Sequence, residues 1–155
     1  MCFKKTALNT AYANGLRRCP CCDVQLVWKS NPEKPQKNLA TVDHIVPASW
    51  GGADHSDNVF VMCRECNNER ATECFVKFVS ERGVSKSFAE NIFKSAHVVS
   101  LQKIIANQFV YIGKDHAEIL RHNKNKRKQI KKIIKNYVDY FGDYMPEFEL
   151  LQKLI

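Results

Sequence analysis

The chain contains no long hydrophobic run. Its first stretch, "MCFKKTALNTAYANGLRR", lacks the continuous apolar segment of a secretory signal peptide. No later stretch approaches the roughly 18 to 20 apolar residues that a helix needs to cross a bilayer. These absences argue against a membrane-spanning protein, and we expect an intracellular, cytoplasmic one. An internal repeat is also absent, and 155 residues suit one compact domain, or a small domain with an appendage.

Acidic side chains are too few to balance the basic ones. The chain has 24 Lys and Arg residues against 16 Asp and Glu residues, which gives a formal net charge of +8. Residues 81–155 carry most of the excess, with 14 basic and 8 acidic side chains. Such a charge indicates a polyanionic partner, nucleic acid first and an acidic membrane surface second. The apolar fraction of 45% is sufficient for a hydrophobic core.

Two C-x2-C pairs are present among the seven cysteines. An odd number of cysteines in a reducing compartment points to metal binding rather than to disulfides. Cys19 and Cys22 form one pair, and Cys63 and Cys66 form the other. Each loop turns both thiolates toward one point, so the pairs predict a tetrahedral, structural Zn²⁺ site without a position for water. Cys21 could replace a neighbour, and burial of the cysteines as small apolar residues is the alternative.

The segment between the cysteine pairs predicts a β-hairpin that leads into a helix. The stretch "NLATVDHIV" (38–46) is rich in β-branched residues, which is typical of a strand, and "NVFVMC" (58–63) predicts a second strand. The intervening "PASWGGADHSD" (47–57) predicts a loop with the two glycines at its bend. A helix is predicted for residues 64–80, so the local architecture is β-β-α.

The later half of the chain predicts helices. In "KRKQIKKIIKNYVDYF" (126–141) apolar residues recur at helical spacing. Residues 88–109 also predict a helix, although "HVV" and "FVYI" are compatible with a strand. The stretch "PEFELLQKLI" predicts a short amphipathic helix after Pro146. Residues 115–122 do not decide between structures.

Two adjacent side chains near the end of the first predicted strand have the chemistry of a hydrolytic site. Asp43 offers carboxylate oxygens, which are hard ligands that suit Mg²⁺. An imidazole such as that of His44 can take a proton from water near neutral pH. In isolation, a packed histidine and an aspartate in a turn are the commoner fates of such residues.

The context of these two residues resembles a known family. The pieces "DHIVPASWGG" and "DNVFVMCRECN" share the order acid-His, Pro, Gly-Gly, Asn, C-x2-C-Asn with the HNH nuclease motif, also called the ββα-metal fold. Cys19 and Cys22 complete the zinc-bound version of this motif. The resemblance covers roughly residues 17–72, and several features of residue type and spacing agree together. Trp50 departs from it, since members usually have a basic or small residue before Gly-Gly.

The resemblance implies a role for each matching residue. His44 corresponds to the general base that activates water, and Asp43 and Asn67 correspond to the ligands of one divalent ion, Mg²⁺ or Mn²⁺. Asn58 corresponds to the asparagine that holds the hairpin loop and helps to orient the histidine. Asn67 places the chain in the His-Asn-Asn branch, and a helix-end cap is its alternative role. Arg70 stands where members often have a basic residue, which suits a phosphate contact.

A basic segment lies in the later half of the chain. Residues 121–135 contain eight basic side chains and no acidic one. Ile130, Ile133 and Ile134 share one face of the predicted helix. Four lysines fall largely away from that face: Lys128, Lys131, Lys132 and Lys135. This pattern predicts binding to DNA phosphates without base readout. A solvated face that keeps a basic protein soluble is the alternative.

These features together predict an α+β fold with two parts. A ββα-metal (HNH) motif clamped by a four-cysteine zinc site forms a nuclease domain at residues 1–82, and a mainly helical, basic C-terminal region occupies residues 83–155. The resemblance implies a metal-dependent endonuclease of duplex DNA that leaves 5′-phosphate and 3′-hydroxyl ends. It also implies a phage, mobile-element or defence setting, and we expect no membrane partner.

Two other functions are compatible with the same residues. One is a non-catalytic DNA-binding module that zinc stabilises. The other is a nuclease that resolves branched DNA as a homodimer formed through the C-terminal helices.

Overall fold

The computed structural model describes residues 2–112 and 123–143, without the side chains of residues 105–112. Its elements follow one another as α1 (Phe3–Ala13), β1 (Ala40–His44), β2 (Val59–Cys63), α2 (Arg64–Arg70), α3 (Phe75–Ser80), α4 (Lys86–Ile112) and α5 (Lys124–Phe141). One small sheet among helices is the expected α+β fold. The helix predicted after Pro146 and the undecided segment 115–122 lie outside the described residues.

The two strands form an antiparallel hairpin, as predicted. Ala40 pairs with Cys63 and His44 pairs with Val59, so the end of β1 lies beside the start of β2. The strands are shorter than the stretches that predicted them. Beyond His44 the N–H groups of Ile45 and Val46 both donate to Asn58, to its carbonyl oxygen and its Oδ1, so the strand pairing ends there. A two-stranded sheet is marginal on its own, and here α1 and α2 each pack against both strands.

The prediction of one helix over residues 64–80 is wrong, because the segment forms two helices, α2 and α3. The break lies at Ala71, whose φ of 46° is outside the right-handed helical region. The guanidinium of Arg70 reaches back to β1, whereas α3 buries four apolar side chains: Phe75, Val76, Phe78 and Val79. A continuous helix, at about 100° per residue, would place those four side chains opposite Arg70. The chain therefore has to turn in order to bury both.

Two of the helices predicted in the later half are confirmed as α4 and α5, and α4 excludes a strand at residues 88–109. Helix α5 begins after Asn123, whose side chain accepts a hydrogen bond from the Lys126 N–H, and it ends at Gly142, where φ is 76°. Its predicted apolar face is buried: Ile130, Ile133, Ile134 and Tyr137. Among the described residues, no helix has the length and apolar character that a membrane span requires.

Helix α1 was not predicted from the sequence. None of its side chains is fully buried, although Leu8 packs against the core. The helix packs against the hairpin, and the ring centroid of Phe3 lies 6.3 Å from that of His44. Near its other end, Tyr12 contacts the ring of Trp28 edge to face at 5.2 Å. Helix α1 therefore covers one side of the hairpin near His44.

One cluster of buried side chains runs through both predicted parts of the chain. It includes Met62 on β2, Phe75 and Phe78 on α3, Phe93 on α4 and Tyr137 on α5. The parts at residues 1–82 and 83–155 therefore share a core. The boundary that we propose between them, at residues 82 and 83, lies in the turn that joins α3 to α4.

His97 is a fully buried polar residue of this core. The centroid of its ring lies 4.2 Å from that of Phe93. Its two nitrogens make hydrogen bonds with the carbonyl oxygen of Phe93 at 2.7 Å and with the side chain of Asn136 at 3.1 Å. Burial lowers the pKa of His97 to about 4, although both hydrogen bonds oppose this shift. The folded protein therefore holds this imidazole neutral.

We predict that His97 makes the protein less stable in mild acid. Between about pH 6.5, the ordinary histidine pKa, and about pH 4, the unfolded chain binds a proton here that the folded protein does not. The free energy of unfolding should therefore fall by about 1.4 kcal/mol for each pH unit on acidification through this window. Chemical denaturation at several pH values measures it. His97→Gln should flatten this dependence and His55→Gln, in an exposed loop, should not; equal slopes in wild type and His97→Gln would contradict the prediction.

Candidate functional site

The four cysteines of the two C-x2-C pairs converge as predicted. The sulfur atoms of Cys19, Cys22, Cys63 and Cys66 lie within 4.8 Å of one another. The Sγ atoms of Cys22 and Cys63 are 3.7 Å apart, and a tetrahedral site with Zn–S bonds of about 2.3 Å has sulfurs about 3.8 Å apart. The cluster therefore fits a zinc ion held by four thiolates.

Cys21 lies beside this cluster without being one of the four. It is buried, and a hydrogen bond between the thiols of Cys21 and Cys19 is the main reason that the pKa of Cys19 falls to about 4. The same hydrogen bond raises the pKa of Cys21, so Cys21 stays a neutral donor. Burial raises the pKa of Cys63 to about 11. A bound cation is therefore needed to hold the buried sulfurs together as anions.

Backbone hydrogen bonds tie the cluster to the hairpin and to α2. The N–H of Cys63 donates to Sγ of Cys19 at 3.3 Å, and the N–H of Cys66 donates to Sγ of Cys63 at 3.4 Å. Cys63 ends β2 and caps the N-terminus of α2 through the second of these bonds. The cluster thus joins the turn at residues 19–22 to the strand and to the helix.

Asn58 holds together the loop that connects the strands. It is 0% exposed, its Oδ1 accepts from the N–H of Val46 at 2.8 Å, and its Nδ2 donates to the carbonyl oxygens of Val46 and Ala53 at 3.1 and 2.9 Å. A Cβ at Gly52 would lie 1.9 Å from the carbonyl oxygen of Val46, so only glycine fits there. The loop is therefore closed tightly behind His44.

His44 forms a hydrogen-bonded pair with an acid that was not predicted from the sequence. Its Nε2 lies 2.9 Å from Oδ1 of Asp54, and its side chain is 13% exposed. This hydrogen bond is the largest cause of the lowered pKa of Asp54, and the positive charge of Lys103 contributes. Because a carboxylate can only accept, the proton of a neutral His44 lies on Nε2, which leaves the lone pair on Nδ1. The sequence signal that could have indicated this pair is the acidic residue two positions after Gly-Gly.

Asp43 lies on a different side of β1 and is paired with Arg70. The Nη1 atom of Arg70 lies 2.7 Å from both carboxylate oxygens, and the side chains of Arg70 and Asp43 are only 3% and 7% exposed. Arg70 also donates to the carbonyl oxygens of His44 and Ile45, at 3.1 and 2.9 Å. Burial raises the pKa of Asp43, and the charge of Arg70 offsets part of the rise. The phosphate contact expected of Arg70 is therefore wrong, because its guanidinium is used inside the protein.

Asn67 lies on α2 near the same strand. Its Nδ2 donates to Oγ1 of Thr41 at 3.1 Å and to the carbonyl oxygen of Val42 at 3.5 Å. These bonds use the amide nitrogen, and the amide oxygen has no hydrogen bond to another described residue, so it can bind a ligand. Each oxygen of Asp43 keeps a lone pair beyond the one that Arg70 uses. Asp43 and Asn67 therefore offer the oxygen ligands that a divalent ion prefers. Arg70 would orient the carboxylate of Asp43, while its positive charge would weaken the binding of the ion.

The four candidate DNA-binding lysines lie on the exposed side of α5. Lys128 and Lys131 face solvent, while Lys135 forms an ion pair with Asp139 one turn later. The Nζ atom of Lys132 lies 4.7 Å from the ring centroid of Trp50. This contact accounts for the unusual tryptophan before Gly-Gly, since it joins the hairpin loop to α5.

The hairpin, the helix that follows it and the four-cysteine cluster define a ββα protein whose cluster fits a zinc ion. A family model described as HNH endonuclease matches residues 31–79. The resemblance seen in the sequence is thereby confirmed over this segment: the chain carries an HNH endonuclease domain, which implies nuclease activity on a nucleic acid. Neither a curated protein nor a solved structure gives a significant match.

We predict one zinc ion per chain, bound by the four clustered cysteines. Cys19→Ser or Cys66→Ser should lose the ion and, with it, cooperative unfolding, since structural zinc contributes on the order of 10 kcal/mol to folding of small domains. Elemental analysis and thermal denaturation measure both effects. Cys2→Ser, at an exposed position, is the matched control and should change neither. Zinc lost in Cys21→Ser but kept in Cys22→Ser would contradict the assignment.

We also predict that the buried pair of Asp43 and Arg70 stabilises the fold. Arg70→Met should lower the free energy of unfolding by about 3 to 5 kcal/mol, because it leaves a buried carboxylate without a partner. Arg82→Met is the control, since the pair of Arg82 and Glu69 is partly exposed and should contribute about 1 kcal/mol or less. Urea denaturation measures both, and equal losses in the two variants would argue against a structural role for Arg70.

Proposed function

We propose that the protein is a metal-dependent DNA endonuclease that hydrolyses phosphodiester bonds and leaves 5′-phosphate and 3′-hydroxyl ends. The hydrogen bond of 2.9 Å between Nε2 of His44 and Asp54, within the HNH domain, is the observation that carries the proposal. It gives His44 one fixed tautomer at the end of β1. Hydrolysis needs such a base, because neutral water is a weak nucleophile.

His44 acts as the general base. Its Nδ1 lone pair takes the proton of the attacking water, while the carboxylate of Asp54 keeps the ring in place and stabilises the imidazolium that forms. Asn58 supports this arrangement from behind, since its three hydrogen bonds hold the loop that carries Asp54. The side chain of His44 is mostly covered, which limits the bulk water that competes for its hydrogen bonds.

Asp43 and Asn67 would hold one divalent ion, Mg²⁺ or Mn²⁺. When bound, it would stabilise the negative charge on the phosphate and on the departing 3′ oxygen. Arg70 keeps the carboxylate of Asp43 ionised and oriented through its two contacts of 2.7 Å. The zinc cluster has a separate, structural role, because four thiolates leave no position for substrate.

The substrate that we propose is duplex DNA. The net charge of +8 favours a polyanion, and Lys128 and Lys131 are exposed on α5. Contacts of this kind attract phosphates at any sequence and weaken as salt increases. We therefore propose the exposed face of α5 as a surface that attracts DNA without reading bases.

We predict that His44→Ala lowers kcat by at least about 100-fold, the usual size of a general-base contribution. Cleavage of supercoiled, linear and branched DNA, with Mg²⁺, Mn²⁺ or EDTA, measures it, and end labelling tests for 5′ phosphates. His55→Ala, at the exposed end of the same loop, is the matched control and should cleave like wild type. Zinc content should be the same in all three proteins.

Three outcomes would overturn parts of the proposal. Cleavage by His44→Ala at the wild-type rate would remove His44 from its role. A folded, zinc-loaded wild type that binds DNA but cleaves it with none of the metals would favour a non-catalytic binding module. Cleavage restricted to branched DNA, by a protein that sediments as a dimer, would favour the junction-resolving alternative.

A further inference from the structure

A polar pocket of about 230 Å³ opens between the hairpin loop and the two long helices. Asp54 forms part of its wall, together with Lys103 on α4 and Lys126 and Gln129 on α5. The carboxylate of Asp54 is also the partner of His44, so the pocket adjoins the proposed general base. Lys103, Lys126 and Gln129 lie outside the segment 31–79 that matches the HNH family.

The pocket depends on a close approach of the helices to the loop. Gly51 has a φ of 93°, which favours glycine. A Cβ there would lie 2.9 Å from Cδ1 of Ile104 and 3.2 Å from Cδ of Gln129. A side chain at this position would therefore displace the ends of the Ile104 and Gln129 side chains. These two side chains, from α4 and α5, can lie against the loop because it has no Cβ at that point.

The charge of the pocket suits an anion. Lys103 and Lys126 bring two ammonium groups, and the one carboxylate among the described lining residues, that of Asp54, already accepts a hydrogen bond from His44. The amide oxygen of Gln129 is buried without a hydrogen-bond partner among the described residues. No contact of this kind fixes the amide, so it can turn its NH₂ group toward a ligand. Two cations and an amide donor are the groups that bind a phosphate.

We propose that this pocket binds a backbone phosphate of the strand that is cut, next to the phosphodiester that His44 attacks. Lys103 and Lys126 hold the phosphate, and Gln129 donates a hydrogen bond to it. The inference rests on the proposed function and extends it, since it assigns the helical region a direct contact with the reacting strand. The position of Asp54 between His44 and the pocket carries the argument.

This contact is distinct from the exposed basic face of α5. At about 100° per residue, Lys126 and Lys128 point to opposite sides of the helix. Lys126 faces the loop with Gln129, whereas Lys128 and Lys131 face solvent. Since a helix with side chains is about 10 Å across, the outer lysines reach DNA that lies away from His44. Lys103 and Lys126 reach the strand beside it.

Methylphosphonate substitution provides a direct test, because it removes the charge of one phosphate at a time. The probe is a set of short duplexes with the neutral group at each phosphate in turn, bound to the wild-type protein without added Mg²⁺ or Mn²⁺, so that His44 keeps its hydrogen bond to Asp54. Binding should weaken most at one phosphate next to the cut. With Lys103→Gln and Lys126→Gln added, the effect at that position should disappear, because the contact is already lost. The slope of log affinity against log salt should fall by about one for each lysine.

Two further variants serve as controls. Lys128→Gln should weaken binding but keep the positional pattern, since its side chain faces away from the pocket. Lys86→Gln, at the start of α4 and far along the helix from Lys103, should change neither affinity nor pattern. A pattern that persists when Lys103 and Lys126 are both replaced would overturn the pocket.

The two proposals fail in different ways. If the lysine variants lose the positional effect but the wild type never cleaves DNA, the phosphate-binding proposal is supported and the nuclease proposal is contradicted. If the wild type cleaves DNA and the lysine variants leave the positional pattern unchanged, the nuclease proposal is supported and the phosphate-binding proposal is contradicted.

Discussion

The hairpin that carries Asp43 and His44 depends on the four-cysteine cluster. Two strands of five residues bury too little surface to be stable alone. Cys63 connects three elements, since it ends β2, caps α2 and contributes one of the clustered sulfurs. The binding energy of a structural ion is folding energy. The positions of the four sulfurs therefore determine how β2, α2 and the turn at residues 19–22 meet, and through the strand pairing they determine where His44 lies.

A second constraint lies on the other side of β1, where a buried charge needs a partner. Arg70 binds the carboxylate of Asp43 and the carbonyl oxygens of His44 and Ile45, so it fastens α2 to the point where β1 ends. The cost of burying either charge alone explains why the pair persists inside the protein. One arginine thus serves the fold and, by orienting Asp43, the proposed metal site. The same holds for Asn58, whose amide closes the loop behind His44.

The sequence predicted those features whose signals lie within a few neighbouring residues. The C-x2-C spacing, the β-branched residues of the hairpin and the order of the HNH motif are of this kind, and the cluster, the strands and the family match agree with them. The pairs of His44 with Asp54 and of Asp43 with Arg70 join residues 10 and 27 positions apart. A charged residue looks alike in a sequence whether it faces solvent or a buried partner. This is why Arg70 was expected at the surface, and why the break at Ala71 was missed.

The helical region contributes to the site as well as to the core. The loop that carries Asp54 is held from within by Asn58 and from outside by α4 and α5: the N–H of Ala53 donates to the buried hydroxyl of Ser100, and Trp50 lies against Lys132. The segment that matches the HNH family ends at residue 79 and includes neither outer partner. That segment alone would contain Asp43, His44, Asn58 and Asn67. It would lack the contacts that hold Asp54 against His44, so the orientation of the base depends on helices that the motif does not include.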